Sequence, residues 1–292
     1  MNDKKRLLIF LGLTFGLTWA WFFISNPEMT LWNDLPMNRQ SFVCLGMLFP
    51  LIAHVLTRYI TKEGFAMSGS GSMQLGITFS DRKWIFFILA LLLPWAYTEL
   101  SNLIAIIICP DLYDKDHALM TGVDKRLIPL IPVNAMVSGA IASFAAFGEE
   151  AGWRGYMMPG LMKLTGRARA LLIGGVIWGL WHAPLTCIGH NFGTDYPGFP
   201  FTGILIMCVY CVFVGVILTF VTERSGSVWP AAILHAVNNS CPSILAVYMD
   251  PAKSTPTRVL IAQWGGMLIS TGALALAVII VWRKTDKEAV NS

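Results

Sequence analysis

The chain has 292 residues, of which 55% are hydrophobic and only 13% charged, with a mean hydropathy of +0.61 and a formal net charge of +4. Those proportions exclude a soluble domain and describe a polytopic membrane protein. No basic stretch is dense enough for a nucleic-acid surface, so the expected surroundings are membrane lipids and no nucleic acid.

Eight apolar runs are long enough to cross roughly 30 Å of hydrocarbon as helices: residues 7–24, 41–60, 84–108, 131–153, 171–190, 201–222, 227–249 and 258–282. The expected fold is all-α, a single transmembrane domain over 1–292. The first run follows a basic "KKR", but it is long, carries Trp19 and Trp21 and lacks a small-residue cleavage pattern, so it reads as an uncleaved anchor. His54 lies near the inner end of the second run, and "SGSGS" at 68–72 after it reads as a flexible linker. The third run contains Pro94 and Glu99; Glu99 either lines a cavity or is bonded to a neighbouring helix.

The fourth run ends in "FGEEAGWRGY", residues 147–156. The fifth contains "IWGLWHAPL" with His182, and His190 stands at its outer end. Cys208 and Cys211 form a C-x-x-C in the sixth, without a second pair or a redox-fold context, and read as packing. The seventh contains "AAILHAVNNS" with His235 and Asn239. With Cys44, Cys109, Cys187 and Cys241 also in or at the ends of runs, no disulfide framework is expected.

If the N-terminus is cytoplasmic, only Arg39, Lys115, Lys125, Arg126, Lys253 and Arg258 of the 21 basic residues fall outside. That is the direction of the positive-inside rule, and an even number of spans returns the C-terminal "RKTDKE" to the same side. Both termini are expected in the cytoplasm.

An ionisable residue within a span costs roughly 2.5–3.5 kcal/mol on insertion scales and is a functional hypothesis by default. At ~1.5 Å per residue from the inner ends, Glu149 lies roughly 6–10 Å deep, His182 roughly 16 Å and His235 roughly 12 Å. The three can meet in one layer. Residues four apart share a helix face, which pairs Glu150 with Arg154, Trp178 with His182 and His235 with Asn239. Arg154 can hold Glu150 ionised, leaving Glu149 as the freer carboxylate and a candidate general base. Asn239 offers an amide donor beside His235 that suits an oxyanion, whereas Asn238 points elsewhere and reads as packing. The competing reading of Glu149, Glu150 and Arg154 is a structural ion-pair cluster at the membrane boundary. His54 and His190 read as interfacial.

In order along the chain, E-E-x-x-x-R-G at Glu149–Gly155, aromatic-x-x-x-H at Trp178–His182 and H-x-x-x-N at His235–Asn239 resemble the CPBP superfamily. This superfamily of CaaX proteases and bacteriocin-processing enzymes includes the type II CaaX prenyl endopeptidases. The resemblance covers about residues 130–250, the expected catalytic core, with the helices of about 7–108 in support. It implies an eight-helix intramembrane peptidase with a cytosol-facing polar cavity and a membrane-protein or lipidated-peptide substrate. It also implies that Glu149 with His182 activates water, that His235 with Asn239 stabilises the oxyanion, and that Glu150 and Arg154 support the site. Trp178 stands where the pattern more often has phenylalanine, a departure expected to alter only packing.

No cofactor is expected. Zinc is the alternative, since two histidines and two glutamates could supply three ligands, although no H-E-x-x-H lies on one helix. The alternative functions are a proton-coupled transporter and a non-catalytic immunity or scaffold protein.

Overall fold

The computed structural model describes residues 1–240 and 243–291, which leaves Cys241 outside the described residues. Among the described residues six helices are long and apolar enough to cross a membrane: α1 (Asp3–Ser25), α2 (Met37–Thr61), α3 (Trp84–Ile108), α4 (Ile128–Thr165), α6 (Phe201–Ser225) and α8 (Pro256–Asp286). Two shorter helices complete the bundle, α5 (Arg167–Trp181) and α7 (Trp229–Asn239). Among the described residues there is no strand, only an isolated antiparallel bridge between Tyr113 and Met249.

The chain is thus an all-α polytopic membrane protein, and two of the eight expected spans take a different form. The fifth run breaks at His182, because Pro184 has no N–H to give Leu180 and a new short helix starts at Ala183. The seventh run is helical only from Trp229 to Asn239. At 15 and 11 residues, α5 and α7 reach roughly 22 and 16 Å, less than the hydrocarbon thickness, so both end inside the bundle.

The fourth run differs in the opposite sense. Its helix does not stop at Arg154 but continues through one π-helical stretch, Trp153–Met157, to Thr165. Glu149 is therefore near the middle of a 38-residue helix and not close to its inner end.

Small residues bring the helices together. A Cβ on Gly175 would lie 2.4 Å from Val212 Cα, and one on Gly179 would lie 2.4 Å from Cys208 Cα, so α5 crosses α6 backbone to backbone. Gly139 meets Val237 in the same way where α4 crosses α7. Such contacts are the usual basis of association between helices in lipid, where no hydrophobic gain is available.

The connecting segments form two layers. The terminal face holds the N-terminus, the 62–83 segment, the α4–α5 turn, the α6–α7 turn and the end of α8. There Val228 N donates to Gln74 O at 2.9 Å, Trp229 Nε1 donates to Leu75 O at 3.1 Å, and Arg167 pairs with Asp286. The distal face holds residues 26–36, 109–127, 188–200 and 243–255. There Trp32 N donates to Ile188 O at 2.8 Å, Asp114 N to Tyr248 O at 2.8 Å, and Trp264 Nε1 to Asn191 O at 3.3 Å.

Candidate active site

The ends of α5 and α7 come to the middle of α4, and the motif residues follow from that. Glu149, His182, His235 and Asn239 line one cavity of about 490 Å³. Glu150 and Arg154 do not reach it; they lie behind its wall, buried with Glu149 and His235.

The order of α4 sets the first contacts. One turn separates Glu150 from Arg154, and Arg154 Nη1 meets Glu150 Oε1 at 3.1 Å. The same Glu150 oxygen accepts His235 Nδ1 at 2.8 Å. Glu150 thus ties α4 to α7 and anchors the His235 ring with Nε2 left over.

Glu149 is held differently. Its Oε2 accepts Trp178 Nε1 at 2.8 Å and Trp153 Nε1 at 3.4 Å. Trp178 therefore does more than pack: the expectation that a tryptophan in place of phenylalanine alters only packing is overturned, because phenylalanine has no N–H for Glu149. The same indole lies under the Arg154 guanidinium, 4.2 Å from its ring centroid, and meets the His235 ring edge-on at 5.4 Å. One side chain of α5 thereby touches both glutamates' networks.

His182 Nδ1 is 2.9 Å from Trp178 O. A carbonyl only accepts, so Nδ1 carries the proton in this arrangement and Nε2 keeps its lone pair. The break after Trp181 is what turns this ring toward the cavity.

Asn238 also corrects its sequence reading. It lines the cavity, its Oδ1 accepts Tyr97 OH at 2.6 Å and Tyr210 OH at 2.7 Å, and its Nδ2 donates to Asn239 Oδ1 at 3.1 Å. With Asn239 Oδ1 engaged, its Nδ2 is the donor side. Nothing in the spacing of α7 could reveal Tyr97 and Tyr210, which come from α3 and α6.

Of the other ionisable residues, His54 and Glu99 lie apart from this site, while His190, expected to be interfacial, shares its cavity. His54 is fully buried, not interfacial: Nδ1 lies 2.7 Å from Ala151 O, and Nε2 accepts Arg58 Nε at 2.8 Å. His190 lines the cavity with its ring edge-on to Trp32. Glu99 is bonded to a neighbouring segment, accepting Ser243 Oγ at 2.9 Å, Ile244 N at 2.5 Å and Leu245 N at 3.3 Å. Cys44, Cys109, Cys187, Cys208 and Cys211 are free thiols.

Among the described residues, no group of three or more His, Cys, Asp and Glu side chains gathers as a metal site. Glu150 Oε1 serves Arg154 and His235, and His182 Nδ1 serves a carbonyl, which leaves Nε2 of His182 and of His235 without a partner among these bonds.

The cavity wall is drawn from one half of each helix. It takes Trp19 and Phe22 from α1, Cys44 from α2, Asn102 from α3, Tyr210 from α6 and Trp264 from α8. All lie in the halves next to the distal face, as do Asn191 and Ala246 in the loops. Helices α1 to α3 thus form part of the wall itself. A cytosol-facing cavity and cytoplasmic termini are mutually exclusive in this fold, since the cavity and the termini lie at opposite ends.

Residues 132–241 match the family model described as type II CAAX prenyl endopeptidase Rce1-like. A curated relative, CAAX prenyl protease 2 of Methanococcus maripaludis, is 28% identical over 107 residues, which are 36% of this chain and 40% of the relative. The chain therefore matches less than half the length of that relative. Glu149, Glu150, Arg154, His182, His235 and Asn239 all fall within the matched segment, and it is over this segment that the chain is similar to the Rce1-like type II CAAX prenyl endopeptidases.

Proposed function

We propose that this chain is an intramembrane endopeptidase of the CAAX-protease type, acting on a peptide bond of a lipidated or hydrophobic, membrane-associated substrate. The observation that carries this reading is the convergence of Glu149, His182, His235 and Asn239 on one cavity, each oriented by a contact on its far side. The reading is that of a core of about 130–250 working within one transmembrane domain.

In this reading Glu149, with His182 Nε2, takes a proton from water, and the hydroxide adds to the scissile carbonyl. His235 Nε2–H and Asn239 Nδ2–H donate to the oxyanion, charge that exists only once the carbonyl has been attacked. The proton then passes to the departing amine as the C–N bond breaks. Glu150 stabilises a proton on the His235 ring, and Arg154 keeps Glu150 from carrying its buried charge alone. We read the step as metal-free. A chelator series with metal analysis tests it: activity lost to chelator and restored by zinc would overturn that part.

The direct test is cleavage in liposomes of quenched fluorescent peptides, one set carrying a prenylated cysteine near the C-terminus and another an unmodified apolar segment. Wild type is expected to cut at least one set, and Glu149→Ala and His182→Ala, checked for folding, are expected to cut neither. Folded variants that cut like wild type would sink the assignment.

A further inference from the structure

Asn239 is the last residue of α7 and is exposed in the cavity, and Asn238 beside it is half-buried in the same wall. Adjacent residues of a helix point about 100° apart, so a bond between their side chains is not a product of the helix itself. What holds the two amides together comes from outside α7. Tyr97 of α3 and Tyr210 of α6, both buried, direct their hydroxyls to one atom, Asn238 Oδ1, at 2.6 and 2.7 Å.

Those distances settle which end of the Asn238 amide faces the tyrosines. They are ordinary for O–H···O bonds and short for an amide N–H meeting a hydroxyl oxygen, whose usual separation is about 2.9–3.0 Å. The 3.1 Å contact from Asn238 Nδ2 to Asn239 Oδ1 fits an N–H donor. A turned Asn238 would present its oxygen to Asn239. Asn239 would then direct its Nδ2 back to Asn238 and its Oδ1 to the cavity, where a carbonyl oxygen repels negative charge.

We propose, resting on the peptidase reading above, that Tyr97, Tyr210 and Asn238 are positioning residues that set the polarity of the Asn239 amide through a chain of donors ending on the oxyanion. Each tyrosine hydroxyl draws electron density from the Asn238 carbonyl and strengthens its N–H as a donor to Asn239 Oδ1. That bond in turn strengthens Asn239 Nδ2–H. No proton is transferred along the chain, and the donor is in place before the charge develops.

The test replaces Asn238 by a side chain of the same shape that offers Asn239 only acceptors. Asn238→Asp still accepts from both tyrosines, and at about pH 8 it is ionised. Asn239 is then expected to turn its Nδ2 to the carboxylate. Side-chain amide hydrogen exchange, read by NMR on protein isotopically labelled at asparagine nitrogen in nanodiscs, reports this without any substrate. In wild type the Asn238 amide is expected to exchange more slowly than the Asn239 amide, and in Asn238→Asp the Asn239 amide is expected to become protected. An Asn239 amide already protected in wild type, or unchanged in the variant, overturns the proposal.

Cleavage gives the second measurement. With a peptide that wild type cuts, Asn238→Asp and Asn239→Ala are each expected to lower kcat about 100- to 1,000-fold with KM unchanged, the effect of losing one oxyanion donor. The double variant is expected to match Asn239→Ala, because Asn238 acts only through Asn239; losses that multiply overturn the proposal. Tyr97→Phe with Tyr210→Phe is expected to lower kcat about 10-fold, and not further when Asn239 is alanine. An unchanged kcat there overturns the tyrosines' part. If wild type cuts nothing, the peptidase reading fails, while the exchange pattern still decides how Asn239 is turned.

Discussion

Trp178 and Arg154 are the residues through which the site's order is most directly tested. Trp178→Phe keeps an aromatic face for Arg154 but removes the donor to Glu149 Oε2. A hydrogen bond to a charged group contributes about 1.5–3 kcal/mol, so kcat is expected to fall about 10- to 100-fold with KM and thermal midpoint little changed. Steady-state kinetics on the folded variant check it; equal loss in folding yield would make Trp178 a packing residue after all. Arg154→Met removes the cation from a fully buried carboxylate that also holds His235. Breaking a buried pair costs about 3–5 kcal/mol, and a marked drop in thermal midpoint in detergent is the expected outcome. The pairing of Glu150 with Arg154 was legible from a four-residue spacing, whereas Trp178's bond to Glu149 joins different helices and was not.

Between elements, the close crossings and the terminal face offer two further tests. Gly175→Ala places a methyl against the Val212 backbone, where neither helix can yield by rotating a side chain. Overpacking of this kind costs about 1–3 kcal/mol, and a lowered thermal midpoint is expected even though alanine favours helix. Glu63 follows α2 and connects three elements: its Oε1 accepts Thr61 Oγ1 at 2.5 Å and Tyr156 OH at 2.7 Å, and Arg6 Nε approaches to 3.7 Å. Partial burial pushes this carboxyl up, but the two hydroxyls with Arg6 and Arg58 outweigh it and hold it below its ordinary range. A depressed folded value means the stabilisation is present above the unfolded value of about 4.3 and is lost as pH falls through the folded one. Glu63→Gln is therefore expected to lower the thermal midpoint at pH 7, with the gap closing on acidification below about pH 4. Midpoints measured across that range check it; a gap independent of pH would refute it. Helix α4 shows why boundaries were harder to read than elements. The charges of "EEAGWR" look like a span end, yet Glu150 pairs with Arg154 one turn on and with His235 of α7, Glu149 accepts from Trp178 of α5, and the helix runs on to Thr165.

For the molecule as a whole, the cavity is a product of the full bundle and not of the matched segment alone. Trp19 Nε1 of α1 donates to Trp181 O at 3.2 Å, and Phe10 meets Trp153 edge-on at 5.9 Å. A fragment spanning residues 128–255 keeps the six motif residues but loses the α1, α2, α3 and α8 walls. It is expected to show no cleavage and no cooperative thermal transition, and an active fragment would show that those helices are dispensable.

Composition and spacing alone indicated that this chain lives in a membrane, that it is helical, and which ionisable side chains within its spans are candidates for the proposed chemistry. Those properties are local: hydrocarbon demands satisfied backbone hydrogen bonds, and a helix puts residues four apart on one face. The tertiary structure decided the rest. Tyr97 and Asn238, which hold the orientation of Asn239, are 141 residues apart in the chain, and no periodicity links them. The side on which the cavity opens was likewise undecidable from depth counted along single helices. It depends on α5 and α7 ending inside the bundle while α4 passes through, a relation that exists only once the helices are packed.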